Sequence, residues 1–370
     1  VVDGDMTPPA PSTTAPQQSR QDTRRDLTQD LAHKIVAVGP HAGAHRVALR
    51  AALTVAVPLL LLWGTGHLAW SAYATFGAFC AVYARNDPWR ARVGMQARAG
   101  AWLALSVTIG AVVALSDHRA WLSVPVTAAF AAVGSLLSDH WGWRPPGPLF
   151  TVFALGACSA IPATGTTVLA ALLVGSGSVL FGLVVSAVAG MLGARGARAG
   201  QDAAPTPPPH VRPTDMGRHA VRAGVAVLLA GGVSTALGIG HPYWAMVSAV
   251  VPLMAREWLP ALVRGIHRVL GTFVGLAIAA VLLWIDPPGL VVVLLVVVLQ
   301  GCVELLVMRN YALALLLITP LALLMVQVAN PEPMGTLLFD RGLQTLLGVV
   351  LGLLVGWAAA QLLPRSKELA

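Results

Sequence analysis

The sequence predicts an all-α, polytopic membrane protein of about 12 transmembrane helices, built as two parallel six-helix repeats. Three observations carry that reading. Hydrophobic residues make up 56% of the chain and charged ones 11%, whereas soluble domains carry about 25% charged residues. Apolar runs follow one another along almost the whole length, and about 20 such residues span a bilayer. A second-half stretch, His241-Pro242-Tyr243-Trp244 with an apolar run and a basic loop behind it, has a worn copy at His67-Leu68-Ala69-Trp70.

In chain order, residues 1–44 form a polar N-terminal arm. Its Pro, Thr and Gln content predicts disorder, and Leu27, Leu31 and Ile35 suggest a short amphipathic helix near its end. No apolar signal segment lies within it. The first membrane repeat covers residues 45–194. Its spans run from Arg46 to Trp63, from the Gly64-Thr65-Gly66 turn to Ala84, Ala99 to Leu115, Ala120 to Leu137, Pro148 to Ile161, and Thr166 to Leu192. Residues 195–217 are a linker whose Pro205-Thr206-Pro207-Pro208-Pro209 run forbids a helix and favours an extended tether.

The second repeat covers residues 218–364. Its spans run from Ala220 to Leu237, Tyr243 to Ala255, Val269 to Ile285, Gly289 to Leu306, Tyr311 to Val328 and Gly342 to Leu363, before a basic tail at 365–370. Spans 2 and 8 are short for a core of about 30 Å and are expected to be tilted or re-entrant behind a shield of protein. Cys80, Cys158 and Cys302 fall inside apolar runs without metal or redox spacing, so they read as small buried hydrophobes. Glycine-bearing faces, Gly271, Gly275 and Gly348 among them, are expected to pack the two halves together.

Basic residues recur in register between the halves. Arg46 and Arg50 match Arg218 and Arg222, Arg98 matches Arg268, and Arg144 matches Arg309 at nearly constant offset. An even number of spans per half gives both halves the same sense in the membrane. With both termini cytoplasmic, the outer loops hold only Arg119 and Arg341 of the 24 Lys and Arg. The positive-inside bias therefore predicts a multi-pass protein of the cell (cytoplasmic) membrane with N and C termini inside. The net charge of +8 belongs to these loops, in contact with the lipid bilayer, and does not imply nucleic acid.

His241-Pro242-Tyr243-Trp244, Arg268-Val269-Leu270-Gly271-Thr272, Arg309-Asn310-Tyr311-Ala312 and Arg341-Gly342-Leu343-Gln344-Thr345-Leu346-Leu347-Gly348 together resemble the fusaric acid resistance protein-like family, which includes the aromatic acid exporters. The first half keeps His67, Trp70, Arg98 and Arg144 of this pattern. The resemblance implies energised efflux of aromatic or other organic acids. One departure stands out: the larger exporters carry a cytosolic domain between their membrane halves, and here a Pro-rich linker takes its place.

Beside that resemblance, the residues offer their own chemistry. Arg98 and Arg268 open the third helix of each half, where an arginine either anchors the helix or grips a carboxylate with its planar fork. Arg144 and Arg309 are the other paired candidates for substrate binding. Tyr243, Trp244 and Trp70 read either as an outer aromatic belt or as surfaces that stack on an aromatic substrate. The histidines beside them, His67 and His241, read as exposed interfacial groups able to titrate near neutral pH. Glu304 is the candidate for coupling or gating, as a proton carrier or as an ion-pair partner of Arg309. Thr319-Pro320, midway along a span, reads as a kink or as a broken helix lining a site.

No nucleophile elbow, phosphate loop or metal-spaced cluster is present, so no enzymatic activity, metal or cofactor is expected. The leading function is secondary efflux of small, aromatic organic anions or related toxic compounds, with a homo-oligomer possible. Two alternatives stay open. One is a passive anion channel, since the plant aluminium-activated malate transporters are distantly similar. The other is a membrane scaffold or subunit serving a separate enzyme or pump.

Overall fold

The computed structural model describes residues 35–39, 44–196, 211–255 and 257–362. The polar arm up to Lys34, most of the Pro-rich linker and the basic tail lie outside them. An N-terminal unit, Val1–Val38, is separate from the unit Gly39–Ala370, which holds all the helices named here.

Twelve α-helices appear among the described residues, and no strand. The first set is α1 (Ala44–Gly64), α2 (Ser71–Ala78), α3 (Trp89–Val113), α4 (Arg119–Trp141), α5 (Leu149–Ala160) and α6 (Gly165–Gly196). The second is α7 (Pro213–Ala236), α8 (Pro242–Leu253), α9 (Trp258–Ile285), α10 (Gly289–Leu306), α11 (Tyr311–Ala329) and α12 (Met334–Leu362). Short 3₁₀ segments, Leu68–Trp70 and Phe79–Val82, extend α2 at both ends.

Local sequence explains several ends. Pro213 and Asp215 open α7, where a missing N–H and a negative charge suit a helix start. Asn310 caps α11 by accepting from the N–H groups of Ala312 and Leu313. Gly142, at φ 61°, ends α4 in the left-handed region. α11 runs through Pro320 without interruption, so of the two readings of Thr319-Pro320 the broken helix does not occur.

The duplication shows in the packing. α3 packs on α5 and α6, and α9 on α11 and α12. α2 packs on α6 as α8 does on α12, and α4 on α5 as α10 does on α11. Two long seams join the sets, α4 against α7 and α10 against α1.

Among the described residues, nine helices are long and apolar enough to cross a membrane, and exposed Leu173, Leu180, Trp284, Phe339, Leu354 and Trp357 cover their outer faces. The three short ones, Leu68–Val82, Leu149–Ala160 and Pro242–Leu253, lie inside. Every residue of α2 is buried, as is α8 from Tyr243 to Pro252. A 12-residue helix is only about 18 Å long, well short of the bilayer core. Its surroundings are protein, which is why its sequence is apolar on all faces.

Two expectations about packing are corrected. Gly271 and Gly275 seat α9 against α11 inside the second set: a Cβ on Gly271 would lie 2.6 Å from the Ala312 carbonyl oxygen, and one on Gly275 2.8 Å from Thr319 Cβ. Gly348 and Gly352 bring α12 onto the α8 backbone at Ala245 and Ala249. These glycines close the second half and do not join the two halves. Between the halves, Gly156 of α5 meets Tyr243 of α8, and Gly231 of α7 meets Val124 of α4. The second correction is at helix starts: α3, α9 and α12 begin at Trp89, Trp258 and Met334, well before Ala99, Val269 and Gly342. Their first turns carry exposed residues, Arg90, Trp258, Pro260, Met334 and Thr336 among them, so each helix starts before the apolar run that hydropathy marks.

Candidate functional site

Where the short helices of both sets meet, a cavity of about 160 Å³ lies between the halves. Phe76, Phe79, Phe150 and Phe153 wall it from α2, its 3₁₀ extension and α5, and Val247, Leu321 and Met325 wall it from the second set. Phe76 meets Phe153 edge-on at 4.9 Å between ring centres, so this wall is a packed aromatic surface.

Three arginines line this apolar space, Arg85 in an ion pair with Glu304 and two others, Arg268 and Arg341. Arg268 comes from α9 and Arg341 from α12, and they are 3% and 1% exposed. Arg268 donates from Nε to Ser248 Oγ and from Nη1 to Tyr311 Oη, both at 3.3 Å. Arg341 lies over the Trp244 ring at 5.2 Å, and its Nε and Nη1 make no hydrogen bond among the described residues. Neither arginine has a carboxylate within ion-pair distance among the described residues. A buried cation is costly unless paired, so these are the two strongest anion-seeking groups in the cavity.

An ionic cluster marks each end. At one, Arg85 Nη2 lies 2.9 Å from Glu304 Oε2, and Gln300 Nε2 donates to Glu304 Oε1 at 3.1 Å. The Arg85 contact is charge proximity rather than an aligned hydrogen bond, since Oε2 accepts none. Arg50 braces the group by donating to the Arg85 carbonyl at 3.2 Å. At the other end, His241 Nδ1 lies 3.1 Å from Asp340 Oδ2, and its Nε2 lies 3.3 Å from Glu332 Oε2.

The sequence-derived candidates divide accordingly. Arg268, Tyr243 and Glu304 line the cavity, and buried Trp244 backs Arg341. Arg98 is exposed, with its guanidinium 5.7 Å from the Trp141 ring; the buried polar group of that helix stretch is Gln96, which bonds the Ala81 and Tyr83 carbonyls. Arg144 pairs with Asp87. Arg309 donates to the Gly39 carbonyl at 3.1 Å and is not the partner of Glu304, whose ion pair is with Arg85 of the first half. Trp70 stacks on His67 at 4.3 Å, away from the cavity lining. Thr319 and Pro320 are buried, with Thr319 packed on Gly275 while Ile318 and Leu321 face the cavity.

Three placements differ from the sequence reading. Tyr243 and Trp244 are buried and form no boundary belt, and the His241 side chain is set between two carboxylates. Arg341 is not in an outer loop but inside α12. Signals for it existed: Pro331 and Pro333 mark a helix start upstream, and Asp340 beside it is an acid amid apolar residues. Arg85, Tyr311 and Asp340 were also passed over, because their roles depend on partners distant in sequence.

Residues 229–364 match the family model described as fusaric acid resistance protein-like. The uncharacterized membrane protein YvaC of Bacillus subtilis (strain 168) is 29% identical over 136 residues, which is 36% of this chain and 22% of that protein. The chain thus spans about a fifth of the length of this relative. No solved structure matches. The matched residues include Arg268, Arg341, Tyr243 and Tyr311 of the cavity lining.

Proposed function

We propose that this membrane protein is a secondary exporter of small organic anions, aromatic carboxylates foremost, and that the inter-half cavity is its binding site. The observation that carries this reading is the pair of buried guanidinium groups, Arg268 and Arg341, facing an aromatic-walled cavity without a carboxylate of their own. A carboxylate there gains charge-assisted hydrogen bonds, and a ring attached to it gains the Phe76, Phe150 and Phe153 faces. Tyr243 and Tyr311 add hydroxyls at the same surface.

The ionic clusters at the two ends suit alternate opening, with Arg85–Glu304 closing one mouth and His241–Asp340–Glu332 the other. Neither is broken without exposing a buried charge, so each holds its mouth shut until a ligand compensates. The basic loops favour placement in the cell membrane with cytoplasmic termini, which puts the Arg85–Glu304 mouth inside.

Efflux of labelled 4-hydroxybenzoate from proteoliposomes tests the proposal. Wild type should empty the vesicles, and Arg268→Ala should slow efflux by about 10- to 100-fold, from loss of about 1.5–3 kcal/mol of hydrogen bonding to a charged group. Arg268→Lys should retain part of the rate, keeping charge but losing the fork. Equal rates in wild type and Arg268→Ala would refute the site, and flux that follows only voltage, without saturation, would make the protein a channel.

A further inference from the structure

We propose that His241, clamped between Asp340 and Glu332, is a proton-binding site whose occupancy sets the affinity of the neighbouring Arg341 for anions. The inference rests on the exporter reading for its substrate, but the site itself is defined by geometry.

The imidazole bridges the two carboxylates at 3.1 and 3.3 Å and is 8% exposed at its side chain. It stacks on Trp244, 4.5 Å between centres and 20° between planes. Arg341 lies against the same indole at 5.2 Å. The backbone of His241 sits at φ 57° in the left-handed region, immediately before α8. A non-glycine residue there costs stability and persists only where its surroundings hold it. The first-half copy keeps the stack, His67 on Trp70 at 4.3 Å, but His67 is exposed and has no carboxylate within ion-pair distance among the described residues. The acid pair is thus confined to the half that presents Arg341.

Every charged or titratable group facing His241 can be named. α12 supplies Asp340 and Arg341, the turn before it supplies Glu332, and α8 supplies Tyr243, whose ring is 5.9 Å away. Cys158 of α5 faces Tyr243 from the first half. Of these, the two carboxylates are the immediate partners.

Charge determines the sign of the linkage. With the imidazole protonated, its positive charge offsets one of the two carboxylates and leaves the cluster with one net negative charge. Releasing the proton leaves two negative charges beside one guanidinium, and an anion approaching Arg341 meets that excess. Proton binding therefore favours anion binding, and by reciprocity a bound anion draws a proton onto His241. Protonation also tightens the bridge joining the start of α8 to α12. The proton thus loads the site and braces that mouth together.

Binding of 4-hydroxybenzoate to the full chain in lipid nanodiscs, measured by calorimetry from about pH 8 to about pH 5.5, tests this. Wild type should bind about tenfold more tightly at the acid end, with proton uptake visible as a dependence on buffer ionisation enthalpy. His241→Gln should bind with a flat pH profile. Glu332→Gln, at a half-exposed position, should bind more tightly than wild type at the alkaline end. A flat wild-type profile, or a slope retained in His241→Gln, overturns the linkage.

If 4-hydroxybenzoate binds at no pH, the exporter reading fails for that acid, and the proton site is judged by tryptophan fluorescence. Acid quenching present in wild type, absent in His241→Gln, and shifted to higher pH in Arg341→Gln supports it. Identical titrations in the three proteins overturn it.

Discussion

Replacing Arg341 with methionine should stabilise the fold while abolishing anion transport. In the structure this guanidinium is 1% exposed and two of its nitrogens, Nε and Nη1, make no hydrogen bond. Each orphaned donor costs about 1–3 kcal/mol. The contact with Trp244 at 5.2 Å returns about 1–2 kcal/mol. The balance is a gain of about 0–5 kcal/mol for Arg341→Met, which brackets the range of about 1–4 kcal/mol found when buried ions give way to apolar side chains of similar volume. Arg85→Met should do the reverse. It leaves Glu304, 2% exposed, with the Gln300 hydrogen bond and the Arg50 charge but without its ion pair, a loss of about 3–5 kcal/mol. Thermal unfolding in detergent reports both stabilities, and 4-hydroxybenzoate efflux reports function. An Arg341→Met protein that unfolds earlier than wild type and still exports would show that this arginine holds the fold and does not await a ligand.

Two further outcomes follow from packing and charge. Gly271→Leu should lower expression and broaden the size-exclusion profile, because its Cβ would press on the Ala312 carbonyl and Leu315 at 2.6 Å; a monodisperse, well-expressed variant would contradict the close approach of α9 and α11. In a background lacking Cys80, Cys158 and Cys302, impermeant thiol reagents applied outside cells should label Thr65→Cys and Pro288→Cys. They should spare Asn86→Cys and Met308→Cys, all four positions being exposed, and the reverse pattern would invert the proposed orientation.

Long-range partners separate what was legible in the sequence from what was not. Twelve helices in two matching sets followed from hydropathy and from the repeated His–x–x–Trp pattern, because apolar runs and local motifs act over a few turns of one helix. Their boundaries at α3, α9 and α12 did not follow, since hydropathy marks only the apolar run and these helices begin before it, in turns that carry exposed residues. The paired residues His67–Trp70 and His241–Trp244 read alike in sequence and stack alike, yet only the second pair is buried beside acids.

The sequence by itself determined a basic, helical, duplicated membrane protein, because the bilayer acts on each segment according to its own composition. Only the tertiary structure decided which arginine faces the cavity. Arg98 and Arg268 lie in corresponding stretches of α3 and α9, but a shift of one or two residues turns a helical side chain by about 100° per residue. Arg98 therefore ends outside, over Trp141, and Arg268 inside with Ser248 and Tyr311. Glu304 found Arg85 across the halves rather than Arg309 nearby, because burial selects the partner that the fold brings into the same low-dielectric space, whatever its distance along the chain.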